Sequence, residues 1–278
     1  MSATMLGVHC SISGGLYHAF EEAEKLGIDT FQIFTQNQRQ WINKKLADED
    51  VKKFRDTWPA KKIKTIFSHC SYLLNLASPD ETLRKKSIDA LVGEVERCHA
   101  LGLSFCVLHP GATMGQEEPV ALGNIIDGLK SVLKSTSHSK VMVLVENTAG
   151  QGSSLGNRFE QLHTILEEID STRMGVCFDT CHAFAAGYDL RTKAAYKKTF
   201  DDFDKIVGLK HLQAIHLNDS KGDLGSRVDR HDHIGKGKIG KEAFRNIVHD
   251  FPKIPKVIET DKDNDMDAVN LKVLRAMG

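Results

Sequence analysis

Asp179-Thr180-Cys181-His182 follows the short apolar, β-branched run Gly175–Phe178, so a carboxylate and an imidazole stand three residues apart where the chain leaves a buried strand. That pairing suits a metal ion or an acid–base step. A structural role is open as well, because Asp179 could cap the next segment and His182 could be an ordinary loop histidine. The pattern recurs along the chain. His9, His69, His109, Glu146, His216 and Glu259 also close apolar strand-like runs, and the loop after His216 adds Asp229 and His231. One strand-end histidine is ordinarily a satisfied polar residue; six independent units ending this way are hard to explain by packing.

The pool of candidate ligands comprises the histidines His69, His109, His182, His216 and His231 and the carboxylates Glu146, Asp179, Asp229 and Glu259. Imidazole and carboxylate without paired thiolates suit zinc or manganese and disfavour iron–sulfur chemistry. A catalytic zinc takes about three protein ligands. A pool this large therefore points to two or three ions, with a carboxylate such as Glu146 free to bridge. Three divalent ions would outweigh the four carboxylates and make the site attractive to phosphate. Clustered metals are suited to in-line phosphodiester displacement.

Such convergence needs a scaffold that brings strand ends to one face. The pattern predicts strands at Met5–Cys10, Thr30–Thr35, Thr65–Cys70, Phe105–His109, Val141–Glu146, Met174–Asp179, Leu212–Asn218 and Lys256–Glu259, each followed by a helical stretch. The long third helix is expected to start with Ser78 as N-cap and Pro79 in its first position and to end at Gly102. After Asp179 an excursion through Gly187–Arg191 is expected to precede the next helix. Eight strand-then-helix units without a linker predict one (β/α)8 TIM barrel over residues 1–278, with its site at the C-terminal ends of the strands. A doubly wound open sheet is the alternative, and it would not gather all the strand ends.

Composition narrows the remaining classes. Hydrophobic residues make up 41% and charged residues 27% of 278, ordinary for a globular protein. The balance of 37 basic against 37 acidic residues gives no bulk attraction for nucleic acid, so any such attraction must be local. No apolar run is long enough for a membrane span. Met1-Ser2-Ala3-Thr4 lacks a signal-peptide pattern, which predicts a cytoplasmic protein. The scattered cysteines Cys10, Cys70, Cys98, Cys106, Cys177 and Cys181 read as reduced structural thiols.

The segments His69–Leu76, Gly175–His182 and His216–Lys221 resemble the three signatures of endonuclease IV. Glu146–Gly152 and Arg227–His231 are similar to further segments of that family, and the likeness covers nearly the whole chain. The resemblance implies a trinuclear zinc barrel that cuts duplex DNA on the 5′ side of abasic sites, leaving a 3′-hydroxyl and a 5′-deoxyribose phosphate, with a 3′-blocking-group activity beside it. It implies one zinc on His69, His109 and Glu146, a second on Glu146, Asp179, His216 and Glu259, and a third on His182, Asp229 and His231. Manganese could replace zinc at one or more sites. Catalysis would centre on Glu146 as the bridging carboxylate, with a hydroxide between the first two ions attacking phosphorus.

Arg39, in Gln38-Arg39-Gln40-Trp41, and Tyr72 match family positions that enter the DNA at the lesion. An extruded nucleotide leaves a gap that an arginine or an aromatic ring can fill. On residue type alone they would be a solvated arginine and a rim tyrosine. His233 adds a histidine beside His231; the Asp-x-His spacing favours His231. Lys236 and Lys238 make their loop more basic than the family pattern, and a phosphate contact and a merely solvated loop are both open there. His9 is expected to lie behind the ligands or against substrate. A metal-dependent sugar isomerase or epimerase on a related barrel is the alternative enzyme, but it leaves Asp229, His231 and the Arg39 loop without roles. A catalytically idle DNA-damage binder is the alternative outside enzymes, and the intact ligand set argues against it. A monomer is expected.

Overall fold

Alternation along the strand segments decides which side chains enter the barrel. A computed structural model of the chain describes residues 4–41 and 44–278; of the N-terminal segment, Met1–Ala3 lie outside the described residues. The strands β1 (Leu6–His9), β2 (Thr30–Ile33), β3 (Thr65–His69), β4 (Phe105–Leu108), β5 (Met142–Glu146), β6 (Met174–Asp179), β7 (Leu212–His216) and β10 (Lys256–Ile258) form a closed parallel TIM barrel. β10 closes it against β1, with Leu6 opposite Lys256 and Val8 opposite Ile258. Between β7 and β10, β8 (Asp219–Ser220) and β9 (His231–Asp232) make a small antiparallel ribbon. Around the barrel lie α1 (His18–Leu26), α2 (Asp48–Thr57), α3 (Glu81–Leu101), α4 (Glu118–Ser135), α5 (Phe159–Ile169), α7 (Lys193–Ile206), α8 (Lys241–Asp250) and α9 (Met266–Arg275). The short α6 (Thr180–Ala186) is additional to this outer set.

The apolar residues divide into two groups. Ile66, Cys106, Leu108, Val143, Val145, Val176, Phe178, Ile215 and Ile258 belong to the large core shared with the helices. Their alternating neighbours Phe67, Phe105, Val107, Leu144, Cys177, Ala214 and Val257 form a separate buried cluster, the plug of the barrel. Two residues beyond this plug, about 6.6 Å along each strand, the next inward places are His69, His109, Glu146, Asp179, His216 and Glu259. Gln32 occupies the same file on β2, fully buried between Phe31 and Ile33 of the outer core.

Two expectations are corrected. Ser78 does not cap α3. Asp80 does, its side chain accepting from the amides of Thr82 and Leu83, while Ser78 Oγ accepts from Asp80 N just ahead of the helix. A carboxylate is favoured there because it satisfies free amides and complements the helix dipole. The chain also does not pass directly from β6 into an excursion. Asp179 Oδ1 accepts from His182 N at 2.7 Å and starts α6 at once. Gly187, at φ 110°, then ends that helix before the loop to α7. Among the described residues no helix is long and apolar enough to cross a membrane. All six cysteines are free and buried, as expected of structural thiols.

Candidate metal centre

Glu146 is the hub. It is fully buried, and each carboxylate oxygen meets a different pair of imidazoles. Oε2 lies 3.1 Å from His69 Nε2 and 3.3 Å from His109 Nε2. Oε1 lies 3.1 Å from His182 Nδ1 and 3.0 Å from His216 Nδ1. On the β10 side, Glu259 Oε2 is 3.1 Å from His216 Nδ1. On the loop side, Asp229 Oδ1 is 3.2 Å from His182 Nε2 and 3.4 Å from His231 Nε2. Asp179 Oδ2 lies between these sets, 4.0 Å from His216 Nδ1 and 3.8 Å from His231 Nε2.

Potential ligand atoms thus fall within 4.8 Å of one another in overlapping groups. These are His69, His109 and Glu146; Glu146, Asp179, His216 and Glu259; and His182, Asp229 and His231. A further group joins Cys181 to Asp179 and His231. Burial pushes the Cys181 thiol up to about 12, so it keeps its proton, 3.6 Å from the carbonyl of Arg230.

The backbone accounts for this convergence only together with a set of polar clips. Asn147 Nδ2 donates to Asp179 O at 3.0 Å and Asn147 Oδ1 accepts from Asp179 N at 2.7 Å, locking the ends of β5 and β6 together. Thr180 Oγ1 donates to Asn218 O at 2.7 Å. Asn218 Nδ2 donates to Asp179 Oδ2 at 2.6 Å, and its Oδ1 accepts from Glu259 N at 2.8 Å. Gln151 Oε1 accepts from Asp229 N at 2.9 Å and so ties the loop after β5 to the loop after β8. Buried Asp219 anchors the ribbon loop, accepting from the amides of Ser220, Gly235 and Ile239 at 2.8–2.9 Å. Gly237 must be glycine there, since a Cβ would stand 2.4 Å from Ser220 O.

Electrostatics show what these groups need. Burial alone would raise Glu146, but the facing imidazoles, His216 and His109 foremost, hold it well below the usual carboxylate range. Burial alone would lower His182 and His216, yet the surrounding acidic groups push both well above the ordinary imidazole value. Burial works against Asp229 too, but its contact with His182 brings it down to about 2. The cluster demands positive charge among its carboxylates, and without a metal it takes protons. His231 Nε2 is buried with no hydrogen-bond partner although carboxylates face it. An unpaired ring nitrogen facing carboxylates, within an imidazole and carboxylate set, fits zinc or manganese.

The remaining sequence candidates lie around this centre. Tyr72 is 59% exposed, its ring centroid 5.3 Å from that of His69 and 5.7 Å from that of His109. Arg39 is exposed on the rim, and its loop is tied to the Tyr72 turn by Ser71 Oγ donating to Gln38 O at 2.5 Å. His233 turns away from the cluster, its Nδ1 3.2 Å from both Thr260 Oγ1 and Asn270 Nδ2. Lys236 is exposed, and Lys238 lies 3.9 Å from Asp223. His9 sits behind Glu259, 3.8 Å away, with its ring against Phe34 at 4.3 Å. Gln32 was missed by sequence reading, although a polar residue between Phe31 and Ile33 in a buried strand was a usable signal.

A TIM barrel that gathers histidines and carboxylates at the C-terminal ends of its strands defines a metalloenzyme class. Residues 20–277 match the family described as xylose isomerase-like TIM barrel. The chain is 46% identical over 276 residues to a probable endonuclease 4 of Chloroflexus aurantiacus, covering 98% of this chain and 97% of the relative. It superimposes on endonuclease IV from Thermus thermophilus with a TM-score of 0.88 at 37% identity, covering 98% of each chain. A D-tagatose 3-epimerase-like protein shares the fold alone, with a TM-score of 0.77 at 20% identity over 98% of this chain and 96% of that one. The chain belongs to the endonuclease IV family, metal-dependent deoxyribonucleases on a TIM barrel.

Proposed function

We propose that this chain is a DNA-repair endonuclease that hydrolyses the phosphodiester 5′ to an abasic site in duplex DNA, leaving a 3′-hydroxyl and a 5′-deoxyribose phosphate. It would act as a cytoplasmic monomer, one domain over residues 1–278, and would also remove 3′-blocking groups. The observation that carries this reading is the convergence of three ligand groups around Glu146 and Asp179. His69, His109 and Glu146 would hold one zinc; Glu146, Asp179, His216 and Glu259 a second; His182, Asp229 and His231 a third. Manganese can serve at one or more of these places. When bound, such ions lower the pKa of water and offset negative charge on phosphate and leaving oxygens.

The chain's own groups do the rest. Glu146 presents its two oxygens to different imidazole pairs, so one carboxylate can serve two neighbouring places without changing conformation. Asn147 and Asn218 hold the strand ends against displacement as phosphate enters. Tyr72 offers an exposed ring beside His69 and His109, able to pack in the gap of a duplex that has lost its stack. Arg39, on the adjoining loop, provides a charged side chain for the same opening. A sugar isomerase or epimerase reading explains the shared barrel but leaves His182, Asp229 and His231 without a task.

The test combines elemental analysis of protein purified without chelator with cleavage of a duplex bearing one tetrahydrofuran residue. The expected result is roughly three metals per chain and a single 5′ incision, lost on stripping the metal. One metal or none, with the duplex uncut after zinc and manganese are restored, would overturn the reading in favour of the isomerase.

A further inference from the structure

Four of the five histidines of the centre are held from behind, in two ways. His69 Nδ1 donates to Cys70 O at 2.7 Å, His182 Nδ1 to Asn147 O at 3.0 Å and His231 Nδ1 to Glu259 O at 3.2 Å. Each acceptor is a backbone carbonyl one residue past a strand's end, so the backbone itself selects which nitrogen keeps its proton. His216 is oriented differently. Its Nε2 lies 2.8 Å from the side-chain oxygen of Gln32, reached across the barrel from β2.

The Gln32 amide is fully used and has one consistent orientation. Its Nε2 donates to Glu259 Oε1 at 2.5 Å and to His9 Nδ1 at 2.8 Å, and its Oε1 accepts from His216 Nε2. Turning the amide over would press its oxygen against the Glu259 carboxylate. The side chain is wholly buried, so water offers no substitute partner. With Oε1 accepting, His216 keeps its proton on Nε2 and directs the Nδ1 lone pair towards Glu146 Oε1 at 3.0 Å and Glu259 Oε2 at 3.1 Å.

We infer that Gln32 is a positioning residue that sets the tautomer of His216 and, through the same amide, the orientation of Glu259 and His9. The inference rests on the metal-centre reading of the site. One neutral side chain thus aligns two of the four groups assigned to the middle ion. Groups behind metal ligands commonly contribute 10- to 100-fold to metal affinity or activity.

The test uses the zinc-loaded full chain labelled with ¹⁵N-histidine, beside Gln32→Met, which approximates the side chain's length without its hydrogen bonds. In the wild type, nitrogen NMR is expected to place the His216 proton on Nε2. In Gln32→Met that signal should shift or broaden while those of His69 and His182 stay put. The variant should surrender one ion per chain to a chelator about 10- to 100-fold more readily, and kcat should fall with KM for the duplex unchanged. A wild-type proton on Nδ1 of His216, or wild-type metal retention in Gln32→Met, would overturn the role of Gln32. The wild-type tautomer decides the matter even if Gln32→Met does not fold. A wild type that holds no metal at all would instead remove the metal-centre reading, and the inference with it.

Discussion

The barrel interior contains two layers built by the same strands two residues apart, and they could hardly differ more. The lower is the apolar plug of Phe67, Phe105, Val107, Leu144, Cys177, Ala214 and Val257. The upper contains His69, His109, Glu146, Asp179, His216 and Glu259, most of them buried as completely as the plug. The plug gains from removal of apolar surface from water. The upper layer gains nothing that way; it holds carboxylates and imidazoles whose charges must be matched by protons or metal ions. Stability and chemistry are therefore separated by one pleat of each strand. The parallel barrel fixes that separation because every strand runs in the same direction.

Substitutions in each layer can break or sharpen this contrast. Glu146→Gln removes the shared carboxylate while keeping its shape; incision of an abasic duplex is expected to fall by at least about three orders of magnitude, roughly 4 kcal/mol of barrier. Elemental analysis should show metal lost as well. Near-normal incision would mean that the upper layer is not the reacting one. Leu144→Ala, one pleat below, should do the reverse. The expected cost is about 2–5 kcal/mol of stability, read from denaturant unfolding, with the metal content of the folded protein unchanged. Loss of metal in a still-folded Leu144→Ala protein would show that the two layers are coupled rather than separate.

The smallest effect is on pH dependence, and it belongs to His216 of the upper layer together with His182 of α6 and Asp229 of the ribbon loop beside it. Asp229 is depressed to about 2, so its contribution is present above the ordinary value of 3.8 and is lost as pH falls through about 2. His182 and His216 are raised, so theirs is complete below 6.5 and is lost as pH rises through their higher folded values. Metal-stripped protein should therefore lose thermal stability on both limbs, whereas zinc-loaded protein should not show the alkaline loss. An identical alkaline limb with and without zinc would assign it to groups elsewhere.

Much of this was legible along the chain. The alternation of each strand, the turn chemistry after it and the polar residue at its end located the barrel and a pool of candidate ligands without any knowledge of neighbours. The spacing Asp229-x-His231 also separated His231 from His233, and the structure turns His233 towards Thr260 and Asn270. Asp179 shows where such reading stops. Its capping and ligand roles looked like alternatives, yet the same residue caps α6 and faces His216 and His231 with its other oxygen.

By itself the sequence determined the eight repeating units, the period that points alternate residues inward, and the residue types available at each strand end. All of these are local, set by backbone geometry and hydrophobic pattern within a few residues. Only the tertiary structure decided which strand ends meet: that Glu146 faces four imidazoles, that Asn147 and Asn218 join adjacent strands, and that Gln32 reaches His216 across 184 positions of chain. Those contacts depend on the stagger between strands and on barrel closure. These properties belong to the whole hydrogen-bonded sheet, and no single segment encodes them.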